Sequence, residues 1–278
     1  MDPPNNYEVP PVTVAVPAPT MAVVQQVSDV PGVEFVGSRY TVLNKQLAPG
    51  ETFVAEAGAM LTMSSNIRMR AFFGGLRGVL SGEDVARVRF VNASHDVGYV
   101  GLTPNQPMAI VVAVDLDEYG GSVNAKRGAY VAGPESITPT AEILPANSCL
   151  ACCCGGMPPV IQSLRGYGVG YVAAGGTVVR KRLRRGEEIV VDTHSVLAFT
   201  NSVRYDVRRV GTCLACCFGG EGCFITVLGG PGDVYIQSMP YEKLVDFLVA
   251  SGSTSGTAEE KNHGREGEGR GGGHHHRH

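Results

Sequence analysis

Three stretches of this chain carry one pattern: LNKQLAPGETFVAEAGAML at 43–61, AVDLDEYGGSVNAKRGAYV at 113–131 and VRKRLRRGEEIVVDTHSVL at 179–197. Each reads as a strand, a glycine turn, a second strand, and then a small residue before an apolar pair. The turn glycines Gly50, Gly120 and Gly186 lie 70 and then 66 residues apart, and Gly58, Gly128 and His194 follow them by eight residues each. A period this long that keeps its turn chemistry implies three structurally equivalent units. Pro49-Gly50 supplies the fixed negative φ and the positive φ of a type II turn, so the first copy reads as a β-hairpin.

The expected fold class is therefore all-β, with three repeated β-sandwich or double-stranded β-helix-like subdomains. Composition agrees: Val-rich runs recur between Gly and Pro, with 37 glycines and no tryptophan. Residues 1–32 read as a disordered Pro-rich lead, and 251–278 as a disordered Gly- and His-rich tail. Between them, 33–250 divides at about 33–105, 106–172 and 173–250. One stretch in this body has helical spacing. In PYEKLVDFLVASG, Tyr241, Leu244, Val245 and Leu248 fall at i, i+3, i+4 and i+7, with Pro240 near the start and Gly252 marking the end of one short C-terminal helix.

The formal net charge of −3 points to no polyanionic partner. No apolar run reaches the ~18 residues of a membrane helix. The start has no basic region of a secretory signal, and its first basic residue is Arg39, so no transit peptide is visible. The reading is a cytoplasmic chain with reduced thiols.

Seven of the eight cysteines sit in two near-copies, CLACCCGG at 149–156 and CLACCFGG at 213–220. Cys149, Cys152, Cys213 and Cys216 have the spacing of two zinc knuckles. Yet the intervening Leu-Ala lacks the polar turn residues of a knuckle, and Cys153, Cys154 and Cys217 have no place in a four-ligand site. Both strings stand where the first repeat has Phe72-Phe73-Gly74-Gly75. Duplication then explains much of their likeness, and packing thiols with no metal and no cofactor are the expectation. S-acylation of an exposed apolar loop is the other alternative.

Arg180, Lys181, Arg182, Arg184 and Arg185 place five cations in six residues. They suit phosphate from RNA or anionic lipid, or solvated charges offset by Glu187 and Glu188. Asp192 and His194 form the core's one close acid–His pair, with His95 the other core histidine. No activated serine accompanies them, and His194 fills a glycine slot of the repeat, so no catalytic residue is expected.

LAPGETFVAEAGAML, FFGGLRGVLSGED, GAYVAGPESI, GEEIVVDTHSVLAF and GGEGCFITVLGGPGDVYIQS, in this order over most of 40–238, resemble the altered-inheritance-of-mitochondria 24 family. The resemblance implies three subdomains similar to the tryptophan RNA-binding attenuation protein, trimers with pseudo-ninefold rings, and a role in mitochondrial inner-membrane organisation. It supplies no catalytic residues. The cysteine strings and basic run depart from the family, and the mitochondrion stands as the alternative location. The leading expectation is a non-enzymatic scaffold acting as a homo-oligomer, most simply a trimer, with a membrane or protein partner. The alternatives are an RNA- or anionic-lipid-binding ring using the 180–185 run, in which nucleic acid is disfavoured for want of stacking aromatics, and a cysteine-based metalloprotein.

Overall fold

The computed structural model of the chain describes residues 21–24, 30–37, 40–73, 86–143, 160–209 and 224–260. Two lead strands, β1 (Met21–Val23) and β2 (Val33–Val36), precede three units of six strands each. The first holds β3 (Val42–Leu47), β4 (Thr52–Glu56), β5 (Met60–Met63), β6 (Ile67–Phe73), β7 (Ala86–Asn92) and β8 (Gly98–Leu102). The second holds β9 (Ala109–Asp115), β10 (Ser122–Lys126), β11 (Tyr130–Pro134), β12 (Thr138–Ile143), β13 (Val160–Arg165) and β14 (Val169–Gly175). The third holds β15 (Val178–Leu183), β16 (Glu188–Asp192), β17 (Val196–Thr200), β18 (Arg204–Arg209), β19 (Phe224–Gly229) and β20 (Gly232–Gln237). A helix, α1 (Tyr241–Glu260), follows.

Pairing within each unit follows one scheme. The first strand pairs with the sixth, and the sixth with the third; the second pairs with the fifth, and the fifth with the fourth. Each unit is thus a two-layer sandwich with its own apolar cluster, around Leu43, Phe53 and Phe90 in the first, Val123, Leu164 and Val172 in the second, and Leu183, Phe199 and Leu228 in the third. The third strands share even their irregularity. A bulge falls between Met60 and Thr62, between Tyr130 and Ala132, and between Val196 and Ala198. Leu61, Val131 and Leu197 therefore occupy one equivalent position.

The glycine turns differ from the hairpin reading. Gly50 has φ +79° and the Glu51 N–H donates to the Ala48 carbonyl, as a type II turn requires. The flanking strands nevertheless do not pair with each other: β3 lies beside β2 and β8, while β4 lies beside β7 and β11. The turn carries the chain from one layer of the sandwich to the other. The turns at Gly120 and Gly186 do the same. Local turn chemistry fixes the reversal, but the partner of each strand is set by which apolar face the unit's core buries.

Other boundaries also move. Met21–Val23, inside the lead, adds to the edge of β15, and the 172/173 division falls within β14. The helix passes through Gly252 to Glu260. Only Leu244 and Val245 of its expected apolar face are half-buried, while Phe247, Leu248 and Val249 are exposed.

Neighbouring units join through their sheets. β4 of the first pairs with β11 of the second, and β10 of the second pairs with β17 of the third. The products are a six-stranded sheet (β6-β7-β4-β11-β14-β9) and a seven-stranded sheet (β1-β15-β20-β17-β10-β13-β12). Two half-sheets remain at the ends of the row, β2-β3-β8-β5 and β16-β19-β18.

Candidate functional site

The open strands of those half-sheets are β5 and β16. Val131 and Leu197, enclosed at the two internal junctions, are 1% and 0% exposed, whereas Leu61 on β5 is 54% exposed. The second strands show the same contrast. Val54 and Asn124 lie at the centre of the junction pairings and are buried, while their counterpart Val190 is 63% exposed. The Gly230 N–H donates to the Glu187 carbonyl, so the alternation of an antiparallel ladder turns the N–H groups of Glu188 and Val190 outward from β19. Among the described residues, both ends of the row present unpaired backbone beside exposed apolar side chains.

The basic run is drawn into the fold. Strand alternation puts Arg180 and Arg182 on one face and Lys181 on the other. Arg180 Nη2 lies 2.7 Å from Asp233 Oδ2, and Arg182 donates to both Asp233 oxygens at 2.8 Å. Both also reach Glu118, on the turn of the second unit, so the cluster ties the second and third units together. Burial pushes the Asp233 carboxyl up, but the Arg182 and Arg180 guanidiniums outweigh it and hold the carboxyl down at about 2. Arg180 also lies over the rings of Tyr119 and Tyr235, whose hydroxyls share a 2.8 Å hydrogen bond. Lys181 is buried against Glu187 at 2.7 Å. Of the five cations, Arg184 and Arg185 alone have no side-chain ion pair among the described residues.

Asp192 and His194 do not form a carboxylate–imidazole pair. The third unit replaces the glycine of the other two with a 3-10 turn over Thr193–Ser195. Asp192 caps it, accepting from the His194 backbone N–H at 3.2 Å and from the Ser195 hydroxyl at 2.9 Å, and pairs with Lys243 of α1 at 3.2 Å. Burial raises this carboxyl, and these three donors outweigh it to leave its pKa lowered. His194 is not on a strand, so the i, i+2 spacing does not set the two side chains on one strand face.

Cys149, Cys152, Cys213 and Cys216 lie outside the described residues. Their strings fall in equivalent connections, between β12 and β13 and between β18 and β19, as Gly74-Gly75 falls between β6 and β7.

A cleft of about 800 Å³ opens where the inter-unit segments meet the start of α1. Val24, Met108, Ile110, Met239, Tyr241 and Leu244 make it mainly apolar. Met108 holds a left-handed backbone (φ +62°) at its wall. Among the described residues no charged side chain lines it.

One cluster passed unnoticed in the sequence. Arg68 and Arg70 on β6 share a sheet face with Arg87 and Arg89 on β7, and Arg70 stands directly opposite Arg89. The guanidiniums of Arg89 and Arg87 lie 4.8 and 5.8 Å from the Phe72 ring centroid. The signal was an arginine at every second residue in both IRMRAF and ARVRFV, which the denser 180–185 run overshadowed.

The family described as mitochondrial biogenesis AIM24 has a sequence model that matches residues 33–239. Among solved structures, the chain is similar to a Streptococcus pyogenes protein determined by X-ray crystallography. That match has a TM-score of 0.61 and 21% identity, and covers 84% of this chain and 100% of the other. At that identity the likeness speaks to the fold alone. A comparison with curated proteins finds no match.

Proposed function

The chain belongs to the mitochondrial biogenesis AIM24 family, and from that membership we propose that it is a non-enzymatic scaffold acting as a homo-oligomer in mitochondrial or membrane organisation. The observation that carries the oligomer is the pair of incomplete half-sheets. Joining β16 of one protomer to β5 of the next would repeat the β4–β11 and β10–β17 junctions. It would also complete a seven-stranded sheet, β2-β3-β8-β5-β16-β19-β18, equivalent to the one inside the chain. Such a contact is head-to-tail and must close into a ring or grow into a filament. Closure as a trimer is the reading that the resemblance favours, and it would leave no exposed strand edge at these junctions.

A scaffold rather than an enzyme is supported by the employment of Asp192 as a turn cap. The family description favours the mitochondrial location over the cytoplasmic one. A ring gripping RNA or lipid through 180–185 is disfavoured, because Arg180, Lys181 and Arg182 already hold carboxylates. Sedimentation equilibrium tests the assembly: a mass three times the 29.2 kDa of one chain is expected. A single-chain mass at micromolar concentration overturns it.

A further inference from the structure

We propose that the arginine ladder of β6 and β7 is a binding site for a phosphate-bearing ligand. Like charges directly opposite each other across a sheet are unfavourable, yet Arg70 faces Arg89, with Arg68 and Arg87 on the same surface. The carboxylates near them are fewer. Arg89 pairs with Glu135 at 2.5 Å, and Glu56, opposite Arg87 across β4, also accepts from Asn105. Arg68 and Arg70 are exposed and make no ion pair among the described residues.

The equivalent ladders of the other units act as internal controls. There Arg165 meets Glu142, Arg204 meets Glu188, and Arg208 meets Asp206. Each of those arginines meets a carboxylate, whereas Arg68 and Arg70 of the first unit meet none among the described residues.

A second observation is independent of charge counting. The Nε atoms of Arg87 and Arg89 are buried and have no hydrogen-bond partner among the described residues. Guanidinium N–H groups withdrawn from water and left unpaired are costly. Arg87 spends one terminal nitrogen on the Pro139 carbonyl at 3.4 Å, and both groups rest over Phe72, which orients them. Planar guanidiniums held in place in this way match the oxygens of a phosphate, which accepts from guanidinium in bidentate fashion. Exposed Arg68 and Arg70 would form the outer wall of the same site. This inference does not depend on the ring: β6 and β7 belong to the six-stranded sheet, and β5 and β16 to the two half-sheets.

The test uses the full chain at low ionic strength. Inorganic pyrophosphate is titrated by calorimetry, and sedimentation is measured with phosphatidylcholine vesicles alone or with added phosphatidylglycerol. Binding of pyrophosphate alone identifies a small phosphate ligand. Co-sedimentation only with phosphatidylglycerol, relieved by pyrophosphate, identifies a lipid headgroup. In either case Arg68→Gln with Arg70→Gln should weaken binding about tenfold or more, as loss of charged hydrogen bonds implies, and Arg184→Gln with Arg185→Gln should leave it unchanged. Arg70→Glu should abolish binding while raising the unfolding midpoint, because it replaces a like-charge pair with an ion pair opposite Arg89; a residue serving only structure would not separate the two. Absence of binding to every probe overturns the proposal. So does equal loss in the two double variants, or a lowered midpoint in Arg70→Glu.

Discussion

Leu61 and Leu197 stand at the same bulge of the first and third units, yet Leu197 is fully enclosed and Leu61 is 54% exposed. The difference is the neighbour: β10 lies on the outer side of the strand of Leu197, and among the described residues no strand lies on that side of the strand of Leu61. Leu197→Ala should therefore cost about 2–5 kcal/mol through lost contacts and a residual cavity. Leu61→Ala should change the unfolding of an isolated chain by no more than about 0.5 kcal/mol. Urea titrations at low protein concentration compare them directly.

Val190→Pro is expected to break the assembly without harming the chain. The Val190 N–H points away from β19, so proline removes a donor from the open edge and none from the existing ladder. Its sedimentation mass should fall to that of one chain while its circular dichroism stays unchanged. A variant that remains fully assembled would show that β16 is not the contact.

Acid should weaken the arginine cluster of the third unit, where Asp233 holds Arg180 and Arg182. The Asp233 carboxyl has a folded pKa of about 2 against an ordinary 3.8, so its contribution to stability is complete above the ordinary value. It is lost as pH falls through 3.8 toward 2. Asp233→Asn should destabilise the chain at neutral pH by about 1–3 kcal/mol, because two guanidiniums lose a charged acceptor. The gap between variant and wild type should close between pH 4 and pH 2, read from thermal midpoints across that range.

Two glycines separate conformational strain from collision. Gly120 has φ +69° with open space around it, so Gly120→Ala should cost only the left-handed penalty of about 1–2 kcal/mol. Gly166 has φ +140°, and a Cβ there would lie 2.0 Å from the Ser136 carbonyl oxygen. Gly166→Ala must displace backbone and should be much the more damaging. Soluble yield and urea midpoints would rank them, and equal effects would contradict the stated cause.

Much of the local structure was legible because it depends on short-range chemistry. Pro49-Gly50 and the glycines at 120 and 186 announced chain reversals, and the apolar spacing after Pro240 announced a helix. The hairpin reading failed at the same places. A turn motif constrains four residues, whereas β3 and β4 choose partners 59 and 39 residues away, Leu102 opposite Leu43 and Val91 opposite Thr52, over distances in sequence that no local pattern encodes. At the candidate sites the same limit applied. The run at 180–185 was conspicuous as a string of charges, but Asp233 and Glu118, which pair with Arg180 and Arg182, are distant in the chain.

The sequence by itself determined that the chain is β-rich, repeats three times, and turns at marked glycines, because repetition and turn propensity are properties of residues and their near neighbours. Only the tertiary structure decided how the units interlock, which charges are balanced and which strands remain open. Those outcomes depend on the faces that segments far apart in sequence bury against one another. Arg70 became unusual only when β6 was set beside β7, and Leu61 only when no described strand took the place beside β5 that β10 takes beside β17.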